Sequence, residues 1–359
     1  MSKTIQIVLR PLDYYFFGTN ETFDFAAKGV KNFSVKSNPL PQQTGLLGLL
    51  RHALFLAGYE IGNSFNHGLA NHDFGSIKAI SPLYLTNNDS EVLYKCPIPL
   101  QETNTADVIS PSFNVSGTGA VYNNRHVYQT FSAVNYNPKK EWTVKWININ
   151  TGEKVDDSHL FAKETHIGID KEKTNKKQTD EGAFYKQEFY RLSNAAIAFQ
   201  ATVDDSVDIS KLPLLLPFGG EKKMFSICYT ADGFLTWESI REKATDLFKE
   251  YLPGPVPSIM LLTDTYVRDI EELEASISYA VLQAKPFRNI RTPKTVSDFS
   301  RLGSIAGDDK QLYKPEETTY ILKQGSVLFP DGQEKKRIIE MLTHNGFSTI
   351  GYNQFISNF

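Results

Sequence analysis

The chain has 359 residues, 41% hydrophobic and 22% charged, with a formal net charge of −3. That length predicts two domains with sizeable cores, and that charge argues against a free-standing, nonspecific nucleic-acid binder. The two cysteines, Cys96 and Cys228, stand far apart, which speaks against a disulfide framework or zinc site; no leader or spanning run is seen near Met1, so a cytoplasmic location is expected.

In chain order, Thr4 to Leu9 alternates and predicts an opening strand, followed by Pro11-Leu12-Asp13 and the aromatic run Tyr14 to Phe17. Gln42 to Ala57 is the clearest helix of the first half: Leu46, Leu49, Leu50, Ala53 and Leu54 share a face, and Gly58 closes it. Residues 62–160 break into short aromatic pieces rich in Asn, Ser and Gly, the pattern of an irregular insertion. Ala183 to Val203 predicts strand, turn, strand, and Asp204 to Ser210 with Pro213 and Pro217 predicts a domain junction. Beyond it come a strand at Met224 to Tyr229, a helix at Trp237 to Tyr251, and strands at Ser258 to Thr263, Ile277 to Leu282 and Thr318 to Phe329. A last amphipathic helix, Glu334 to Thr343, runs into Asn345-Gly346 and an expected aromatic strand through Phe347 and Tyr352. Elements alternating in this irregular way suit an α+β fold of ferredoxin-like units better than a doubly wound sheet.

A glycine loop at the C-terminal end of a helix is the reverse of a phosphate-binding P-loop, where the helix dipole attracts the anion. Phosphate charge must therefore be met by cations elsewhere. Lys285, Arg288, Arg291, Lys294 and Arg301, interleaved with Phe287 and Phe299, suit single-stranded nucleic acid, since cations track phosphates while rings stack on bases. Lys171, Lys173, Lys176 and Lys177 form a second basic run.

Enzyme-like fragments are few. Gly307-Asp308-Asp309 mimics the acidic pair of polymerase palms but sits in a turn-like context, and His67, His72 and Asp73 lack the spacing of a metal centre. His52, beside Arg51, is the best residue for a metal-independent ribonuclease, as general base toward a ribose 2′-hydroxyl. A pure protein scaffold is the other alternative. No cofactor and no metal are expected.

Several motifs together resemble a known family. They are Pro11-Leu12-Asp13 with Phe16-Phe17, Gln43 to Arg51, and His166 to Asp170 leading to Glu181 to Tyr185. Pro217-Phe218-Gly219-Gly220-Glu221, Lys323 to Phe329 and Gly346 to Tyr352 complete the set. In this order they resemble the third subunit of the Cmr complex, the type III-B CRISPR effector, within the RAMP superfamily. The resemblance implies two ferredoxin-like, RRM-related domains at 1–205 and 206–359, with an insertion at about 62–160 and a β-hairpin or thumb at about 164–200. It implies a noncatalytic subunit that binds the five-prime handle of the guide RNA and contacts the large cyclase-type subunit and the backbone subunits. It also places RNA near Arg51, Gly219, Gly220 and the closing loop Gly346, Phe347, Gly351 and Tyr352.

Overall fold

Ile5, Ile7 and Leu9 alternate with polar neighbours, and that period of two builds the strand Ser2–Pro11 with the three aliphatic side chains buried on one face. The computed structural model describes residues 1–18, 33–62, 73–87, 91–96, 101–102, 108–109, 112–123, 126–134, 145–169, 184–249, 257–267, 269–287, 319–330, 334–343 and 346–357. Within it, Ser2–Pro11 lies inside a nine-stranded sheet, antiparallel to Ala195–Asp204 on one side and Met224–Thr230 on the other. Ala195–Asp204 also pairs with Ile77–Ile80 and Tyr84–Asn87, and the sheet continues through Val92–Lys95, Lys145–Asn148 and Lys154–Asp156. Much of this sheet thus comes from the stretch expected to be an insertion. The strands that stretch gives to this sheet are only three or four residues long, too short for periodicity to stand out between polar turns.

The helix Gln43–Leu56 forms as expected and packs its leucine face on Ile5, Ile7 and Leu9. Phe161–Ile169 and Phe184–Leu192 make an antiparallel hairpin, and Asn194 at φ 55° turns the chain into Ala195–Asp204. Lys171, Lys173, Lys176 and Lys177 lie outside the described residues.

The second half runs strand Ile259–Leu261, helix Ile270–Ser276, strands Ile277–Val281 and Val327–Pro330, helix Lys335–Thr343 and strand Phe355–Ser357. These strands form one antiparallel sheet in which Ile259–Leu261 sits between Val327–Pro330 and Phe355–Ser357. One face of this sheet packs Ile259, Leu261 and Leu328 against Leu273, Ile338 and Leu342 of the two helices. The opposite face carries Met260, Leu262, Val327 and Phe329. These join Tyr84, Tyr94 and Ile147 of the first sheet, with Ile240, Ala244 and Phe248 of the helix Trp237–Lys249, in a single core. The result is a mixed α/β fold with mostly antiparallel sheets and few helices.

Two expected strands turn out otherwise. Thr318 to Phe329 is not one strand: Thr319–Leu322 and Val327–Pro330 belong to different sheets. The break is a tight turn with Gly325 at φ 86° and the Ser326 amide donating to the Lys323 carbonyl at 3.2 Å. The aromatic stretch after the last helix is a 3-10 helix, Gly346–Ile350, ended by Gly351 at φ 82°; the strand begins only at Phe355. Phe347, Ile350 and Tyr352 are all buried, and the compact turn puts all three in the core where an alternating strand would divide them between two faces.

Candidate nucleic-acid interface

The motifs that carry the resemblance converge in space, but mainly on each other. Phe218 packs edge-on against Phe17 (ring centroids 5.1 Å) and Phe225 (5.4 Å). Gly219 has φ 80°, and a Cβ there would lie 2.5 Å from the Phe16 carbonyl oxygen. The Gly220 amide donates to that same oxygen at 2.8 Å. Where the resemblance places RNA near Gly219-Gly220, the close backbone approach is made by the chain's own Phe16-Phe17.

Arg51 is 4% exposed, and its guanidinium donates to the carbonyls of Ile61 (3.2 Å) and Gly62 (3.4 Å). Burial pulls its pKa below the ordinary value against the opposing charge of Asp73. Its position ties down the chain after the first helix instead of presenting a cation to solvent. His52 is half-buried on the same helix.

The closing turn is likewise occupied. Phe347 stacks on Tyr266 at 4.4 Å, and Tyr352 is fully buried, its hydroxyl accepting from the Thr44 amide at 3.5 Å. These rings are core residues and offer no free face to a base. Asn353 locks the turn, donating to the Tyr266 and Leu342 carbonyls at 2.9 Å each. A Cβ on Gly351 would lie 2.6 Å from the Ser81 carbonyl oxygen and 2.8 Å from the Pro82 nitrogen. Gly346 opens the 3-10 helix. At the hairpin base, cations already cover ring faces: Arg191 lies 5.4 Å from the Tyr14 centroid and Lys223 5.3 Å from that of Phe189.

One cationic feature stays open. A cavity of about 240 Å³ lies where the first sheet, the first helix and the second half meet, lined among others by Lys95, Lys285, Lys323, Asp157, Asp264 and Gln43. Lys285, on the strand Ala284–Phe287, is ion-paired to Asp264, whose carboxylate also accepts from the Gln324 amide at 3.0 Å. Burial would raise the Asp264 pKa, but Lys285, the Gln324 amide and Lys95 outweigh it and hold the carboxyl below its usual range. Lys95 ends the strand Val92–Lys95 with its ammonium 5.9 Å from the Trp146 centroid. Burial depresses the pKa of Lys95 and, with Lys285 nearby, that of Lys323. Asp157 accepts from the Trp146 indole N–H at 2.7 Å, and burial raises its pKa.

Of the expected basic segment, Lys285 is therefore in this cleft. Arg288, Arg291, Lys294 and Arg301 lie outside the described residues, as does Gly307 to Asp309. Lys95 carries no local signal in the sequence, since a lone lysine at a strand end is common, and Lys323 enters there only as the first residue of the Lys323 to Phe329 motif, not as a candidate cation.

The sequence profile of the family described as CRISPR-associated protein (Cas_Cmr3) matches residues 7–357. The chain belongs to the Cmr3 family. Solved structures carry the same fold. A chain of the type III-B Cmr-beta complex bound to cognate target RNA superposes with a TM-score of 0.53 at 11% identity, over 98% of this chain and 96% of that one. Its counterpart with target RNA and AMPPnP, state 1, gives 0.50 at 11% identity over the same shares. No curated protein sequence matches. Among the described residues, no helix of this Cmr3-family chain is long and apolar enough to cross a membrane.

Proposed function

We propose that this chain is a noncatalytic, cytoplasmic RNA-binding subunit of a type III-B CRISPR effector complex. In this reading it holds the five-prime handle of the guide RNA and docks the large cyclase-type subunit and the backbone RAMP subunits. The observation that carries it is a lysine-lined cleft at the junction of the two halves in a chain matched to the Cmr3 family over residues 7–357. The four-stranded sheet of the second half and its two helices run in the β-α-β-β-α-β order, with both helices on one face, and this supports a ferredoxin-like reading of that half. A small net charge suits a subunit whose surface faces mostly protein and whose groove faces RNA.

Lys171 to Lys177 and Arg288 to Arg301 are further candidate phosphate contacts by composition. Co-purification with the neighbouring subunits, followed by sequencing of the retained RNA, tests the reading: one class of guide sharing a common five-prime end is expected, and loss of guide selectivity with the chain absent. Full complex assembled without this chain and still retaining such guides would overturn it. Labelled guide precursor incubated with the chain in EDTA should stay intact; cleavage would assign it a nuclease role.

A further inference from the structure

The hairpin of Phe161–Ile169 and Phe184–Leu192 leaves one edge open. Tyr15 donates its N–H to the Tyr190 carbonyl at 2.7 Å, and Tyr190 returns its own to the Tyr15 carbonyl at 3.0 Å. The backbone polar groups of Tyr190 therefore point away from Phe161–Ile169, and its cross-strand partner Lys163 directs its own N–H and C=O outward. Thr165 and Ile167, at the next alternate positions, share that direction. Among the described residues nothing pairs with these three on the outer side. Lys163, Thr165, His166 and Ile167 are exposed, Ile167 at 72%. Proteins usually blunt such an edge with short strands, prolines, bulges or charges. The nine-stranded sheet does so: its outermost strands, Lys154–Asp156 and Leu215–Pro217, have three residues each, and Pro213 and Pro217 bracket the second. Phe161–Ile169 instead runs nine residues in unbroken register with its neighbour and carries no proline.

The geometry points to a second copy of this chain as the occupant, paired antiparallel along this edge about a two-fold axis at Thr165. In that register the strand complements itself. Thr165 meets Thr165, a pair whose hydroxyls bond across the axis. Glu164 meets His166 on each side of it, a carboxylate opposite a ring that donates. Lys163 meets Ile167, so an exposed apolar side chain lies along an aliphatic stem, and Ala162 meets Gly168. The backbone agrees with the side chains. Lys163, Thr165 and Ile167, the residues that face outward, oppose one another, so each of these pairs closes two ladder bonds. A single strand edge buries little surface, which makes the dimer a weak one. The inference does not rest on the RNA-binding reading: self-pairing sets a concentration above which the free chain withholds this edge from other strands.

Sedimentation equilibrium of the full chain, from micromolar to near-millimolar concentration, is the test, with residue-resolved amide exchange as a second readout. The wild type should dimerise as concentration rises. The amides of Lys163, Thr165 and Ile167 should slow with it, while those of Glu164 and His166, already directed at the opposite strand, should not change. Thr165→Pro removes an outward N–H, a change an edge strand tolerates, and should abolish the dimer without lowering the melting temperature of the dilute chain. His166→Glu sets like charges opposite each other twice and should weaken association about tenfold. The Glu164→His, His166→Glu swap restores both pairs and should recover it, which decides the matter where the proline variant misfolds. A wild-type chain that stays monomeric throughout, a dimer that survives Thr165→Pro, or a swap without recovery would overturn the proposal. Slowed exchange at the three amides only when neighbouring subunits are added would overturn it too, and give the edge to a partner's strand.

Discussion

Gly351 shows how a single residue can be read in two ways. The family resemblance placed RNA near it in the closing loop; a Cβ there would instead meet Ser81-Pro82 and the Gln43 side chain, at a φ of 82°. Gly351→Val is thus expected to destabilise the free chain by about 3 kcal/mol, from left-handed strain plus backbone collision. An unchanged melting temperature would contradict that. Lys95 predicts the opposite sign. Its folded pKa is depressed, so the folded state carries a penalty below that pKa, relieved as pH rises through it toward the unfolded value near 10.4. Lys95→Met should therefore raise the melting temperature at neutral pH, by about 2 °C. Loss of stability instead would mean that the Trp146 contact matters more than desolvation.

At the scale of elements, Asp264 is the clamp. It joins the loop after Ile259–Leu261 to the strand Ala284–Phe287 through Lys285 and to the turn at Gln324. Asp264→Ala leaves a half-buried ammonium and an amide unpaired, at a cost of about 3 kcal/mol. The folded pKa of Asp264 is depressed, so its stabilisation is complete above the unfolded value near 3.9 and is lost as pH falls through the folded pKa. Urea unfolding of wild type and Asp264→Asn should consequently differ at pH 7 and converge under strong acid. Equal gaps at both pH values would remove Asp264 from the account. The same turn explains the divided strand at Thr319 to Pro330: Lys323-Gln324-Gly325-Ser326 is a run without an apolar side chain, and Gly325 marks the break.

On the scale of the whole molecule, the helix Trp237–Lys249 matters most. Ile240, Ala244 and Phe248 lie in one core with Tyr94 and Ile147 of the first sheet and Met260 and Phe329 of the second. Halves that share a core should unfold together. Phe248→Ala is expected to lower a single calorimetric transition by the equivalent of about 3–5 kcal/mol. Two resolved transitions in the wild-type chain would show that the shared core does not couple the halves.

The sequence by itself determined what depends on near neighbours. Period two gave Ser2–Pro11, period 3.6 gave Gln43–Leu56 and the last helix, and an ordered set of short motifs gave the Cmr3 family. Tertiary structure alone decided what those motifs touch. Phe347 and Tyr352 read as aromatic and near glycines whether they face RNA or core, and Arg51 reads as a cation whether its partner is phosphate or the Ile61 carbonyl. Likewise Lys95, Lys285 and Lys323 acquire meaning only when strand order brings three distant segments to one cleft. Local periodicity fixes which face a side chain takes; the pairing of remote strands fixes what lies opposite, and no short window of sequence contains that pairing.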